Sequence, residues 1–228
     1  MQGIKIIHFK KISSTQKLIR YFLNLSPVLL VADEQTKGIG RFSRNWFSPK
    51  GGLWFSFAFK FKNSKNILPF LVPLTIIETL KKFANLEYRI LIPNDIYVKN
   101  KKLSGILIEK TKDNYFIIGI GINTNNTSFP DNLKEQAISL KNLTGNNYDN
   151  QKILKTFLGI FFSKISKLEE RNFIKKFNNY VIKDKLEITF KNGEKLVCNI
   201  KEIKPNLRII TKNGLEININ TIEKVKLL

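Results

Sequence analysis

The sequence predicts an α+β protein: a mixed β-sheet with helices on one face, followed by a small β-barrel. Three observations carry that prediction. First, apolar runs with the two-residue period of strands alternate with stretches at helical spacing; residues 53–62, with Trp54, Phe55, Phe57, Phe59 and Phe61, are the clearest strand. Second, 43% of the 228 residues are hydrophobic, which suits a real core in one large unit plus a small module. Third, the character changes near residue 183: only short strands follow, and two of their turns read Lys191-Asn192-Gly193 and Lys212-Asn213-Gly214. Asn-Gly between β runs is a strong hairpin signal. The expected units are therefore 1–182 and 183–228.

The elements follow in order. Residues 4–9 alternate weakly and form a first strand. Ser14 or Thr15 caps a helix over 16–25, whose apolar face is Leu18, Ile19, Phe22 and Leu23. Pro27 ends it, and residues 28–33 form a buried strand. A glycine- and arginine-bearing loop runs over 34–46, and a Ser48-Pro49-Lys50-Gly51-Gly52 turn leads into the strand 53–62. A helix starts at Asn66 and reaches about residue 86, with Leu71, Leu74, Ile77, Leu80 and Phe83 in phase. Pro69 and Pro73 lie in its first turns, where proline is tolerated. Strands are expected over 88–92, 96–99, 103–109 and 115–122. Residues 123–150 are polar and loop-rich around an apolar island at 137–140. Helices over 151–169 and 172–181 complete the first unit. Strands over 186–190, 196–203, 207–211, 215–219 and 221–226 make the second.

Composition narrows the chemistry. A single cysteine, Cys198, rules out an internal disulfide and a cysteine metal cluster, and fits a reducing cytoplasm. A single histidine, His8, argues against a Ser-His-Asp triad or a multi-histidine metal site. No apolar run has the length of a signal-peptide core or a membrane span. The formal charge is +21. It signals either an anionic partner or a lysine-rich compositional drift, and the scatter of the lysines favours drift with mild steering. A nucleic-acid-binding protein is the rival from another class. It would need clustered basic residues with exposed aromatics, whereas these aromatics sit at core-like strand positions.

Candidate chemistry gathers where apolar strands end in small or polar residues: Ser14-Thr15, Gln35 to Arg44, Pro93-Asn94-Asp95 with Lys102, and Gly119 to Asn123. Ligands collect at such strand ends. Gly38 and Gly40 give a ligand access to backbone N–H groups, and Arg41 and Arg44 can grip a carboxylate or phosphate. Lys102 precedes an apolar strand and can bridge two anionic groups, or be one more solvated lysine beside Lys99 and Lys101. Asp95 can orient Lys102, hold a magnesium ion, or serve a Pro-Asn-Asp turn.

Gln35-x-x-Gly38-x-Gly40-Arg41-x-x-Arg44-x-Trp46-x-Ser48-Pro49 resembles the glycine–arginine loop of biotin protein ligases. Pro93-Asn94-Asp95-Ile96-Tyr97 and Lys102-Leu103-Ser104-Gly105-Ile106-Leu107-Ile108-Glu109 are similar to that family's second signature. Ser14-Thr15 and Gly119-Ile120-Gly121-Ile122-Asn123 fall in the family's order. The resemblance covers nearly the whole chain. It implies a class II synthetase-like catalytic domain with an SH3-like β-barrel, in the short form without a DNA-binding module. It also implies a substrate pair, biotin and ATP with Mg2+, and a partner, the biotin carboxyl carrier domain of acetyl-CoA carboxylase. Members often pair through the catalytic sheet, so a homodimer is a further expectation.

The residue roles implied by the resemblance are as follows. Ser14, Thr15, Gln16 and Gln35 meet the biotin ureido head, with Gly38, Ile39 and Gly40 lining the loop beside them. Arg41 and Arg44 hold phosphate and carboxylate. Lys102 spans the carboxylate and the α-phosphate, supported by Asp95, which is also the metal candidate. Trp46, Asn94, Gly121 and Asn123 lie towards the adenylate. Trp46 packs over the folded loop or into the core. The chain departs from the pattern at Ile39, where an arginine is usual, at Ser43, where glycine is usual, and at Leu91 and Ile92, where Lys-Trp is usual. The missing cation predicts looser retention of the adenylate, unless another lysine such as Lys37 compensates. Lipoate or octanoate transfer on the related fold is the rival within this class, and an inactive, degenerate ligase is a third reading.

Overall fold

The computed structural model describes residues 3–61, 67–166 and 170–228. Lys62, the helix start expected at Asn66 and the helix end expected at Glu169 lie outside them.

Seven strands form the larger sheet: β1 (Lys5–Ile12), β2 (Val28–Gln35), β3 (Leu53–Lys60), β4 (Arg89–Leu91), β5 (Asp95–Val98), β6 (Lys101–Lys110) and β7 (Tyr115–Ile122). Their order is β1-β2-β3-β7-β6-β5-β4. β1 and β2 run parallel, and every other neighbouring pair is antiparallel, so the sheet is mixed as expected. A parallel pair needs a crossover. Residues 13–27 supply it, and they do so without the regular helix expected over 16–25. One α-turn, α1 (Thr15–Leu18), continues as a 3-10 segment, Ile19–Leu25. Ser14 stands at the N-cap, but its hydroxyl makes no capping bond. The crossover instead lays Leu18, Ile19, Phe22 and Leu23 on Val28, Leu30, Ala58 and Ile117.

The long helices cover the other face of the sheet. These are α2 (Leu68–Lys81) and, after the short α3 (Asp131–Lys134) and α4 (Leu140–Thr144), α5 (Asn150–Ile165) and α6 (Glu170–Tyr180). α3 and α4 fall in the stretch read as loop-rich: turns of four and five residues leave little periodicity to detect. β3 explains why both faces are covered. Its odd positions, Phe55, Phe57 and Phe59, face the helices, and Phe57 meets Phe161 edge-on at 5.0 Å between centroids. Its even positions, Trp54, Ser56 and Ala58, face the opposite side and are buried as well. Each fully buried ring of this kind contributes about 1.5–3 kcal/mol.

The second sheet comprises β8 (Lys185–Phe190), β9 (Lys195–Ile203), β10 (Arg208–Thr211), β11 (Glu216–Asn218) and β12 (Ile222–Leu227), in the order β11-β10-β9-β8-β12, all antiparallel. Gly193 and Gly214 adopt φ of 87° and 86°, the left-handed conformation that their Asn-Gly turns need. The module is docked, not tethered. Asn178 of α6 donates to the Ile203 carbonyl at 2.8 Å and accepts from the Ile203 N–H at 2.7 Å. Leu186, Ile188 and Ile200 share one hydrophobic cluster with α2 and α5. Among the described residues, no helix is long and apolar enough to cross a membrane.

Candidate functional site

The site is built on the sheet face opposite the long helices. Residues directly opposite one another on neighbouring strands share a face. One such row runs Trp54, Gly121, Gly105, Asp95 across β3, β7, β6 and β5, and the next contains Ser56 and Gly119. The three glycines leave a floor without side chains. Two groups come down on it: a Cβ at Gly121 would lie 2.3 Å from Trp46 Nε1, and one at Gly119 would lie 2.4 Å from Gln16 Oε1. Trp46 therefore packs flat on the sheet within the site and meets Trp54 edge-on at 6.3 Å. Trp46 is half-buried and stands outside the hydrophobic core, so its contact is with the glycine floor.

At one end of the floor is a row of uncharged polar groups. Gln35 Oε1 accepts from the Thr15 N–H at 2.7 Å and from Thr15 Oγ1 at 3.0 Å. Gln35 Nε2 donates to Ser48 Oγ at 2.9 Å, and Ser48 passes its proton to the Trp46 carbonyl at 3.1 Å. Thr15 Oγ1 also lies 2.8 Å from Ser56 Oγ, which donates to Gln16 Oε1 at 3.0 Å. Ser14 is fully buried, and its Oγ has no partner. A buried hydroxyl without a partner costs about 1–3 kcal/mol, and this one, beside the Thr15–Gln35 row, is available to a ligand or a water. Ser48 stands in the loop motif, which gives it no role of its own, and Ser56 is absent from the motifs; period-two alternation around Ser56, a polar residue inside an aromatic strand, is the signal that could have found it.

At the other end sit the charges. Lys102 Nζ lies 2.7 Å from Asp95 Oδ2 and 5.0 Å from the centre of the Trp46 ring. Its backbone is clamped: Lys102 N–H donates to Gln136 at 2.7 Å, and its carbonyl accepts from Ile138 at 3.0 Å. The apolar island at 137–140 thus holds this lysine in place. Asp95 Oδ1 is buried without a partner. Asn94 accepts from Arg41 Nη1 at 3.3 Å and donates to the Ile106 carbonyl at 2.6 Å. Burial pushes the Arg41 guanidinium below its ordinary value, Asp95 pulls it back up, and Arg44 adds to the depression. An anion beside Arg41 would favour the charged guanidinium and so offset both its burial and the repulsion from Arg44. Asn123 is buried, and its N–H donates to Leu103 at 2.9 Å. A cavity of about 310 Å³ is lined by Lys101, Thr127, Phe129, Ala137, Ile138 and Asn142, among others, and not by Lys102 itself.

The glycine–arginine loop joins the two ends. Gly38 is buried; a Cβ there would meet the Trp46 carbonyl at 2.5 Å and Ser48 Oγ at 2.6 Å. Ile39 pairs with Asn45, and Gly40 N–H donates to the Arg44 carbonyl at 2.8 Å, so the loop is a small hairpin. At its tip Phe42 and Ser43 hold φ of 54° and 57°, a strained conformation for residues with side chains. The tip rests on the C-terminal module: Arg41 Nη2 donates to the Ile222 carbonyl at 2.8 Å, and Arg44 Nη2 to Glu223 Oε1 at 2.7 Å. Arg44 is thus turned away from Lys102, towards the barrel. Three cations surround the Phe42 ring, Arg41 at 5.0 Å, Arg44 at 5.6 Å and Lys191 at 5.7 Å. Lys37 is exposed, and its backbone bonds to Ser13.

A mixed sheet that carries a polar row, a clamped lysine–aspartate pair and a glycine–arginine hairpin on one face defines the class of the molecule. The family model described as the Biotin/lipoate A/B protein ligase family matches residues 8–125, and the chain belongs to that family. Within it, the chain is similar to the bifunctional ligase/repressor BirA of Bacillus spizizenii, 35% identical over 174 residues, 71% of this chain and 54% of the relative. It is 31% identical over 137 residues to biotin–protein ligase 1, chloroplastic, of Arabidopsis thaliana, covering 54% of this chain and 37% of the relative. The chain spans about half the length or less of these curated relatives. A solved structure of the biotin protein ligase from Aquifex aeolicus, in complex with biotin and ATP, superposes with a TM-score of 0.87 at 28% identity, over 97% of this chain and 98% of that one.

Proposed function

We propose that the protein activates biotin with ATP and transfers it to a lysine of a biotin carboxyl carrier domain, such as that of acetyl-CoA carboxylase. The observation that carries this reading is the pairing of two complementary ends on one glycine floor. One end offers an unpartnered Ser14 hydroxyl beside the Thr15–Gln35 acceptors, which matches a cyclic urea: its carbonyl takes the Ser14 proton and its N–H meets Thr15. The other end offers Lys102 and Arg41, which match a carboxylate meeting a phosphate. The similarity to the Arabidopsis thaliana and Aquifex aeolicus biotin protein ligases supports biotin over lipoate.

In the first step a biotin carboxylate oxygen bonds to the α-phosphorus of ATP, and the bond to pyrophosphate breaks. In the second, a carrier lysine amine attacks the acyl carbon, loses a proton, and AMP leaves. Lys102, held by its clamped backbone and by Asp95, stabilises the charge between carboxylate and α-phosphate without reorganisation. Arg41, tethered by Asn94, takes the phosphate, with Gly38 and Gly40 closing the hairpin around Ile39. Gly121 and Asn123, at the end of β7, stand on the side of the adenine and ribose. Trp46 and the hairpin keep water from the anhydride. Lys191, brought to the loop tip by the barrel, is a stronger compensation than Lys37 for the cation absent at Ile39. Among the described residues no cluster of three His, Cys, Asp or Glu side chains exists. Magnesium would be held by the phosphates, with the unpartnered Asp95 oxygen as a protein ligand; when bound it would neutralise phosphate charge. The division at 182/183 assigns the substrates to the first unit, and to the barrel the support of the loop.

The test is the mass of a carrier domain incubated with the protein, biotin, ATP and magnesium. A biotin-sized gain is expected, and Lys102→Ala lowers its rate by about a hundredfold or more, since it removes the main charge-stabilising donor. A gain with lipoate but none with biotin overturns the reading.

A further inference from the structure

We propose that Glu109, held by Arg20, is a positioning residue that sets the hydrogen-bond polarity of the biotin-head pocket. This rests on the function proposed above. Glu109 lies at the far end of β6, and it accepts from Gln16 Nε2 at 2.6 Å. Arg20 Nη2 reaches the same carboxylate oxygen at 3.1 Å. An ionised carboxylate only accepts. The amide nitrogen of Gln16 must therefore face Glu109, and its oxygen must face Ser56 and Gly119.

That choice propagates. Gln16 Oε1 can only accept, so the Ser56 proton points to it across 3.0 Å. Ser56 then has no proton for Thr15, 2.8 Å away. At the other end Gln35 is fixed in the same way. The Ser48 proton goes to the Trp46 carbonyl, so Gln35 Nε2 donates to Ser48 and Gln35 Oε1 faces Thr15. The Thr15 hydroxyl is left to donate inward, to Gln35 or Ser56, and both of its lone pairs stay open to ligand N–H groups. If Gln16 turned over, its NH2 would donate to Ser56, and the Ser56 proton would turn onto Thr15. One of the two Thr15 lone pairs would then be taken by Ser56, leaving the oxygen a poorer and less well directed acceptor for a ureido N–H. Gln16 is buried and its oxygen sits over Gly119, so no solvent corrects the polarity. The carboxylate of Glu109, near the surface, is what decides it.

Glu109→Gln keeps the shape and removes the compulsion, because an amide can face Gln16 with either end. The variant should bind biotin about tenfold more weakly in calorimetric titration without ATP, the loss of one ligand hydrogen bond. Its ATP KM, its kcat at saturating biotin and its melting midpoint should stay at wild-type values. Glu109→Asp, with Arg20 still in reach, should recover part of the affinity. Wild-type biotin affinity in Glu109→Gln overturns the inference, and so does a uniform fall in kcat and melting midpoint, which marks a structural role. Failure of the wild-type protein itself to bind biotin overturns the functional reading, and this inference with it.

Discussion

Gly105 and Gly121 face one another across β6 and β7, and the space left by their missing side chains is filled by the indole of Trp46. The sequence motifs marked both glycines, but read Gly121 as a neighbour of the nucleotide. Its contact with a tryptophan 75 positions away was not legible, because it depends on strand register and loop closure together. Gly121→Ala would put a methyl 2.3 Å from Trp46 Nε1, so the indole must move. Displacement of a group that lines reacting atoms by about 1 Å can cost a hundredfold in rate. The expected outcome is a drop of about that size in adenylate formation, measured as pyrophosphate release. The urea midpoint should move little, since alanine is otherwise a tolerated strand residue. Equal loss of rate and stability would mean that Trp46 acts as core packing alone.

At the scale of elements, the helix layer is tied by charge as well as by aromatic rings. Glu78 on α2 is bonded to Lys164 of α5 and lies 3.4 Å from Lys176 of α6. Burial pushes the Glu78 carboxyl up, but the hydrogen bond and charge of Lys164, with Lys176, outweigh it and hold the group below 4.5. A carboxyl depressed in the folded state stabilises the fold above its unfolded value, and that contribution is lost as pH falls through the folded value. Wild-type protein should therefore lose more melting temperature than Glu78→Gln between pH 6 and acid conditions of about pH 3. Parallel curves for the two proteins would remove Glu78 from the account. The strands and long helices were readable because their periods are long enough to repeat. The 13–27 crossover was not, because tertiary burial against Val28, Leu30 and Ile117 overrides the helical spacing of its apolar residues. Of the site, the lysine, the arginines and the Ser14–Gln35 group were readable as motifs. The barrel's grip on Arg41 and Arg44 spans about 180 residues of chain and leaves no local signal.

For the whole molecule, the remaining question is what a charge of +21 does. Much of the acidic complement is already engaged: Glu34 with Lys11, Glu109 with Arg20, Glu223 with Arg44, Asp95 with Lys102 and Glu78 with Lys164. The field outside the protein is thus set by lysines left over, including exposed Lys10, Lys17 and Lys37 near the strand ends that carry the site. Exposed charges act over about 10 Å at 0.1 M salt. They therefore contribute little to the affinity of buried groups and mainly accelerate encounter with an acidic surface. An acidic carrier domain should associate roughly tenfold more slowly in stopped flow when ionic strength rises from low to physiological values. The single-turnover rate of adenylation, whose charges are enclosed by the hairpin and the barrel, should change far less. If the association rate is flat with salt, the charge is compositional, and the carrier is recognised through shape and the few groups at the mouth of the site.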